Sequence, residues 1–163
     1  MNAIAMIHDG RRDFDFFYGA WAVRHRLLKR RGAQCQDWTE FEGKAACYGL
    51  MGGICNVEEA DMTGRGSQGV AFRSFDIAHR TWSIHWVSGD DGIVGEPVHG
   101  RFENGEGRFY GVDLDDGRPV KVCFLWSDIT GEQAQWTQAF SYDDGQTWET
   151  NWVMQFTRTG SAF

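Results

Sequence analysis

A histidine and a glutamate on neighbouring segments are the first candidates for chemistry. His25 in WAVRHRLL and Glu40 in WTEFEG are titratable groups. Brought together in an apolar interior, they would make a proton donor and acceptor with environment-shifted pKa values. Such a pair suits isomerisation or cyclisation of an apolar metabolite without a cofactor. Aromatic residues surround them: the 163-residue chain holds 8 Trp, 12 Phe and 4 Tyr. Apolar walls with a few placed polar groups line small-molecule pockets. Trp38, Trp86, Phe124, Trp126, Trp136, Gln138 and Trp152 are the expected lining, with Asn56 and Arg73 at the mouth. His25, Glu40, Gln138 and Thr150 are the expected polar groups inside. In the competing reading, the aromatics fill the interior and His25 is a satisfied core histidine.

Other motifs carry less chemistry. Cys35, Cys47, Cys55 and Cys123 form no CxxC, and no two histidines stand at metal-ligand spacing, so no metal is expected. Glu58 and Glu59 are adjacent and point to opposite faces of a strand, which excludes them as a glycosidase pair. Asp113-Leu114-Asp115-Asp116-Gly117 begins like a calcium loop, but Phe124 stands where that loop needs glutamate. Ser141 to Trp148, SYDDGQTW, fits S-x-D-x-G-x-T-W and resembles the Asp-box of sialidases. That motif is a hairpin device in which the Asp caps turn amides. No phosphate-binding glycine loop, dinucleotide fingerprint or nucleophile elbow is present.

Turn dipeptides dictate the elements that must position these residues. Asp91-Gly92, Asn104-Gly105, Asp116-Gly117 and Asp144-Gly145 are hairpin signals, because Asn, Asp and Gly tolerate positive φ. Between them apolar and polar residues alternate, as in Trp82, Ile84, Trp86 and in Val120, Val122, Phe124, Trp126. Period two marks a sheet with one buried face. Strands are expected at 19–30, 35–46, 52–60, 68–77, 80–88, 95–104, 107–115, 118–128, 133–143 and 147–158. A short helical turn over 13–18, capped by Asp13, precedes the first. No helix separates strands, so parallel βαβ units are excluded. A meander of this length removes its edges by closing. The expected fold is all-β: a single up-and-down antiparallel β-barrel of about 8–10 strands, wide enough for one small ligand. Residues 1–12 are assigned to a tail and 13–160 to one domain.

Charge narrows the partners. With 16 Lys and Arg against 23 Asp and Glu the net charge is −7, and the basic footprint that nucleic acid requires is missing. No apolar run approaches the roughly 18 residues of a membrane helix. The opening residues MNAIAMIHDGRRDF do not follow the basic, apolar and small-residue order of a signal peptide. Free thiols in a reducing cytoplasm are therefore expected. Outward Val87 and Leu125 leave a homodimer or structural module open as a further reading.

Gly19-Ala20-Trp21 opens the first strand, and Arg158 stands on the last. A G-x-W followed by a meander and a terminal arginine resembles the calycin superfamily of lipocalins and fatty-acid-binding proteins. The resemblance implies that Trp21 plugs one end of the barrel beside Gly19, and that Arg158 packs across the indole. Closer still is the resemblance to a bacterial family of lipocalin-like barrels of unknown function. It rests on FDFFYGAWAVRHRLL, WTEFEG, GGICNVEE, RTWSIHWVS, GRFENGEGRFYG and TWETNWVMQFTR, and spans nearly the whole chain. Haem-binding calycins carry G-x-W-x-G-x-G, and here Val23 and Arg24 follow instead of that glycine pattern, so no haem or other cofactor is implied. Three functions follow as expectations. The first is binding of a hydrophobic or aromatic small molecule. The others are a cofactor-independent isomerase or cyclase using His25 and Glu40, and an interaction module.

Overall fold

Two hairpins show how local chemistry sets the register. Asn104 and Gly105 have φ of 52° and 79°, and Asp116 and Gly117 have φ of 50° and 77°. Positive φ at both central positions is the twist-matched turn that joins antiparallel strands tightly. The computed structural model describes residues 8–161. Its strands are β1 (Gly19–Leu28), β2 (Trp38–Leu50), β3 (Cys55–Met62), β4 (Ser67–Asp76), β5 (Thr81–Ser88), β6 (Val98–Glu103), β7 (Glu106–Asp115), β8 (Arg118–Ser127), β9 (Gln133–Ser141) and β10 (Glu149–Gly160). Each pairs with its sequence neighbours, and β1 pairs with β10 to close the barrel. The expected fold class is the observed one. No helix among the described residues is long and apolar enough to cross a membrane.

β6 is shorter than expected, and the wall is weakest there. Only Trp82, Ser83 and Ile84 of β5 pair with β6. Beyond them the chain folds back on β5 through a Val87–Val94 bridge and a Gly95 N–H to Trp86 carbonyl bond of 2.9 Å. Pro97 cannot donate to a ladder, so β6 starts only at Val98. The far half of β7, from Gly111 to Asp115, therefore pairs with β8 alone.

One end of the barrel is plugged. A 3-10 turn, Asp15–Phe17, carries Phe14 and Phe17 into the interior, both fully buried. Asp13 does not cap it: Phe14 holds the cap position without a side-chain hydrogen bond. Residues 9–12 lie against the same end, where the Gly10 carbonyl accepts from Trp82 Nε1 at 3.1 Å. Phe17 stacks on Trp21 with centroids 5.5 Å apart, and the Phe17 carbonyl accepts from Trp21 Nε1 at 2.9 Å. Arg158 lies over the Trp21 ring, its Cζ 4.2 Å from the centroid. Its guanidinium donates to the carbonyls of Tyr18 and Phe16 at 2.6 Å each and of Gly131 at 2.7 Å. Gly19 has φ of 115°, and a Cβ there would meet the Gly160 carbonyl at 2.6 Å. Only glycine lets β1 start so close to the end of β10.

Arg158 thus joins the last strand, the β8–β9 loop and the plug in one charge-assisted contact. Arg158→Ala is expected to lower the urea midpoint by the equivalent of about 2–3 kcal/mol, with Arg158→Lys recovering only part. An unchanged midpoint would show that the plug holds without it.

Candidate ligand-binding cavity

Strand parity builds the inner wall. β3 sends Asn56, Glu58, Ala60 and Met62 inward, and β4 sends Gly69, Ala71, Arg73 and Phe75. Asn56 and Arg73 are cross-strand partners, so their side chains meet over one patch of sheet. Arg73 Nη1 donates to Asn56 Oδ1 at 3.0 Å, and Nη2 forms an ion pair with Glu58 Oε2. Arg73 is 3% exposed, Glu58 4% and Asn56 0%, so this is a charge pair taken out of water. The guanidinium also faces the rings of Phe14, Phe17 and Trp126, with Cζ 5.0, 5.3 and 5.8 Å from their centroids. The sequence placed Asn56 and Arg73 at a pocket mouth. Arg73 instead stands with Glu58 at the pocket floor, against the plug rings of Phe14 and Phe17, and the fully buried Asn56 braces it without lining the pocket. Cys47 sits beside them, its Sγ 3.7 Å from Asn56 Oδ1, and burial pushes its thiol up to about 12. That suppresses the thiolate a nucleophile needs.

Above this floor is a cavity of about 140 Å³. Its walls are Trp86, Phe124, Trp126, Trp136, Trp152 and Met154, with Met62, Ala71, Ile84 and Gln138 completing them. The indoles pack edge to face: Trp136 lies 5.9 Å from Trp152 and 4.8 Å from Phe124, which holds the walls apart. Trp86 of β5 and Asp113 of β7 also border the cavity, so it reaches the wall where β6 stops. Polar hydrogens remain unsatisfied here. Arg73 Nε and Trp126 Nε1 are buried without a hydrogen-bond partner, as are the side-chain nitrogens of Asn56 and Asn151. Gln138 Nε2 donates to Asn151 Oδ1 at 2.8 Å.

His25 supports the wall from behind. It is 2% exposed, stacks on Phe41 with centroids 4.4 Å apart, and accepts at Nδ1 from Trp152 Nε1 at 3.2 Å. An accepting Nδ1 requires the neutral ring with its proton on Nε2. Burial, and secondarily the positive charge of Arg65, lowers its pKa from 6.5 to about 4. Glu40 does not share this site. It lies on the outer face, exposed, with Arg26 Nε 3.4 Å away, and the residue opposite His25 is Phe41. A His25–Glu40 proton relay therefore has no geometry.

Two further placements depart from expectation. Trp38 lies on the outer side of β2 under Arg26, whose Cζ is 4.9 Å from the ring. The inner face of β2 carries Gly43, Ala45 and Cys47 instead. On β10 a register shift between Thr150 and Trp152 exposes Thr150 and buries Asn151. Trp86, Phe124, Trp126, Trp136, Gln138 and Trp152 stand on the cavity wall. Glu58 was missed as a floor residue, although it shares parity with Asn56. Phe14 and Phe17 were missed because a 3-10 turn has no strand period.

Elsewhere the surface shows ordinary structural devices. In the SYDDGQTW hairpin, Asp143 Oδ1 accepts from Ser141 Oγ and the Thr147 N–H, each at 2.8 Å. The Thr147 hydroxyl is the largest of the contacts that lower the Asp143 pKa to about 2. No cluster of three or more His, Cys, Asp or Glu among the described residues could hold a metal ion. Cys35, Cys47, Cys55 and Cys123 are free thiols. No protein-family model matches the chain, and no curated protein matches it in sequence.

Two outcomes follow from this geometry. An unfolded histidine binds a proton near pH 6.5 and His25 only near 4. The His25 contribution to stability should therefore fall by roughly 3 kcal/mol as pH drops from 6.5 to 4 and change no further below that. Urea melts at several pH values should show that slope, and His25→Gln should flatten it. Arg73→Leu strands the Glu58 charge and should cost about 3–5 kcal/mol, while adding Glu58→Leu should restore most of it. A double variant as unstable as the single would mean that packing, not charge pairing, governs the floor.

Proposed function

We propose that the protein binds a hydrophobic or aromatic small molecule inside the barrel. The cavity of about 140 Å³ between Trp126, Trp136 and Trp152 is the observation that carries this reading. Its size matches one aromatic ring: an apolar cavity of roughly 150 Å³ takes up benzene. The same volume argues against the competing idea that side chains alone fill the interior. The meander and the Trp21–Arg158 contact also support a likeness to the calycins, which are carriers of small apolar molecules. Four free thiols suit a reducing compartment such as the cytoplasm.

Indole fluorescence reports on this site directly, since its walls are tryptophans. Titration with toluene should change the emission saturably. Ala71→Leu extends a cavity-lining side chain into the space and should weaken that response at least tenfold while the variant still unfolds cooperatively. A linear, unsaturable response, or one that Ala71→Leu leaves intact, would remove the cavity as the binding site.

A further inference from the structure

Resting on the reading above, one carboxylate at the cavity border defines the ligand further. The charged residues lining the cavity are Glu58, Arg73 and Asp113. Glu58 and Arg73 neutralise each other at the floor. Asp113 stands on β7, directly opposite Val120 of β8. Residues opposite each other in an antiparallel pair share a face. Val120 belongs to the core at 4% exposure, so Asp113 projects to the inside of the barrel. Unlike the floor groups, Asp113 is exposed, which puts it at the border between cavity and solvent. Its Oδ1 accepts from the Leu114 N–H at 2.7 Å. Among the described residues no cation pairs with it: Arg108 is held by Glu106, Lys121 by Asp144 and Arg31 by Asp115, while Arg118 lies over the Tyr142 ring. The cavity thus carries one uncompensated negative charge, at its border, beside aromatic walls. An ammonium placed there keeps part of its hydration while it meets the carboxylate, so it escapes the full cost of burying a charge. Aromatic neighbours attract a cation rather than oppose it. A carboxylate ligand would instead meet like charge at the border. We infer that the cavity takes a single-ring aromatic amine, with the ring between Trp126, Trp136 and Trp152 and the ammonium at Asp113.

Four probes with one ring each separate the elements of this inference. Benzylamine is a cation, benzyl alcohol its neutral isostere, benzoate an anion, and toluene has no polar group. Each is titrated into the intact protein at neutral pH and low salt, with affinity read by calorimetry. Benzylamine should bind about three- to tenfold tighter than benzyl alcohol, and benzoate more weakly than either. Raising the salt to about 0.5 M should shrink that preference, because a charge at the solvent border is screened. Asp113→Asn keeps an acceptor for the Leu114 N–H and removes the charge, and should bring benzylamine down to the affinity of benzyl alcohol. The test does not depend on that variant folding, because the probes rank on the unaltered protein. Saturable toluene binding with benzylamine no tighter than benzyl alcohol would overturn the amine inference and leave the binding reading standing. Benzoate binding tightest would overturn the sign of the selected charge. A preference for benzylamine that survives Asp113→Asn would remove Asp113 as its source. No saturable binding of any probe would overturn both readings.

Discussion

One buried arginine couples the two halves of this barrel. Arg73 lies between the rings of Phe14 and Phe17 in the plug and the cavity, holding Asn56 and Glu58 through its guanidinium. A charge in that position is tolerable only if it is paired and hydrogen-bonded. Glu58 and Asn56 meet that condition because cross-strand register places them within reach. The plug then has a flat cation to pack on, and the cavity has a polar floor. Remove the charge balance and both lose their reference surface.

The rest of the site follows from that floor. Trp126 packs on Phe17 and faces Arg73, so its indole is fixed from below. Trp136, Phe124 and Trp152 then stack edge to face upward, and His25 anchors Trp152 through a neutral ring nitrogen. Large rigid rings held at their edges cannot collapse into the space between them, which is how a barrel rich in tryptophan keeps a cavity. The cavity borders the wall where β6 begins only at Val98, between Trp86 and Asp113.

Much of this was legible from period two alone. Alternation in β5, β8 and β9 places Trp86, Phe124, Trp126, Trp136 and Gln138 on the inner wall, because those strands are regular and one-faced. β2 misled for a physical reason. Its bulkiest residue, Trp38, is the natural anchor for an inward face, yet the inner face starts one residue out of step, with Phe41 stacked on His25, and beyond Phe41 it has room only for small residues. A Cβ on Gly43 would already stand 3.0 Å from His25 Nε2. Trp38 and Glu40 share a face, so an inward Trp38 would bring Glu40 inside, and the outward face they actually occupy removes the expected acid–base pair. The bulge that exchanges Thr150 for Asn151 shifts parity by one residue and leaves no mark in composition. The Arg73–Glu58 pair depends on register across two strands, which no single strand's pattern contains.

The most direct test is a crystal of the protein soaked in bromobenzene, with the bromine located by its anomalous scattering. A single ring seated in the barrel predicts one strong peak enclosed by Trp126, Trp136 and Trp152, with Arg73 beneath it. A peak confined to exposed outer residues such as Tyr110, Val112 and Leu114, with no density between the indoles, would contradict the account.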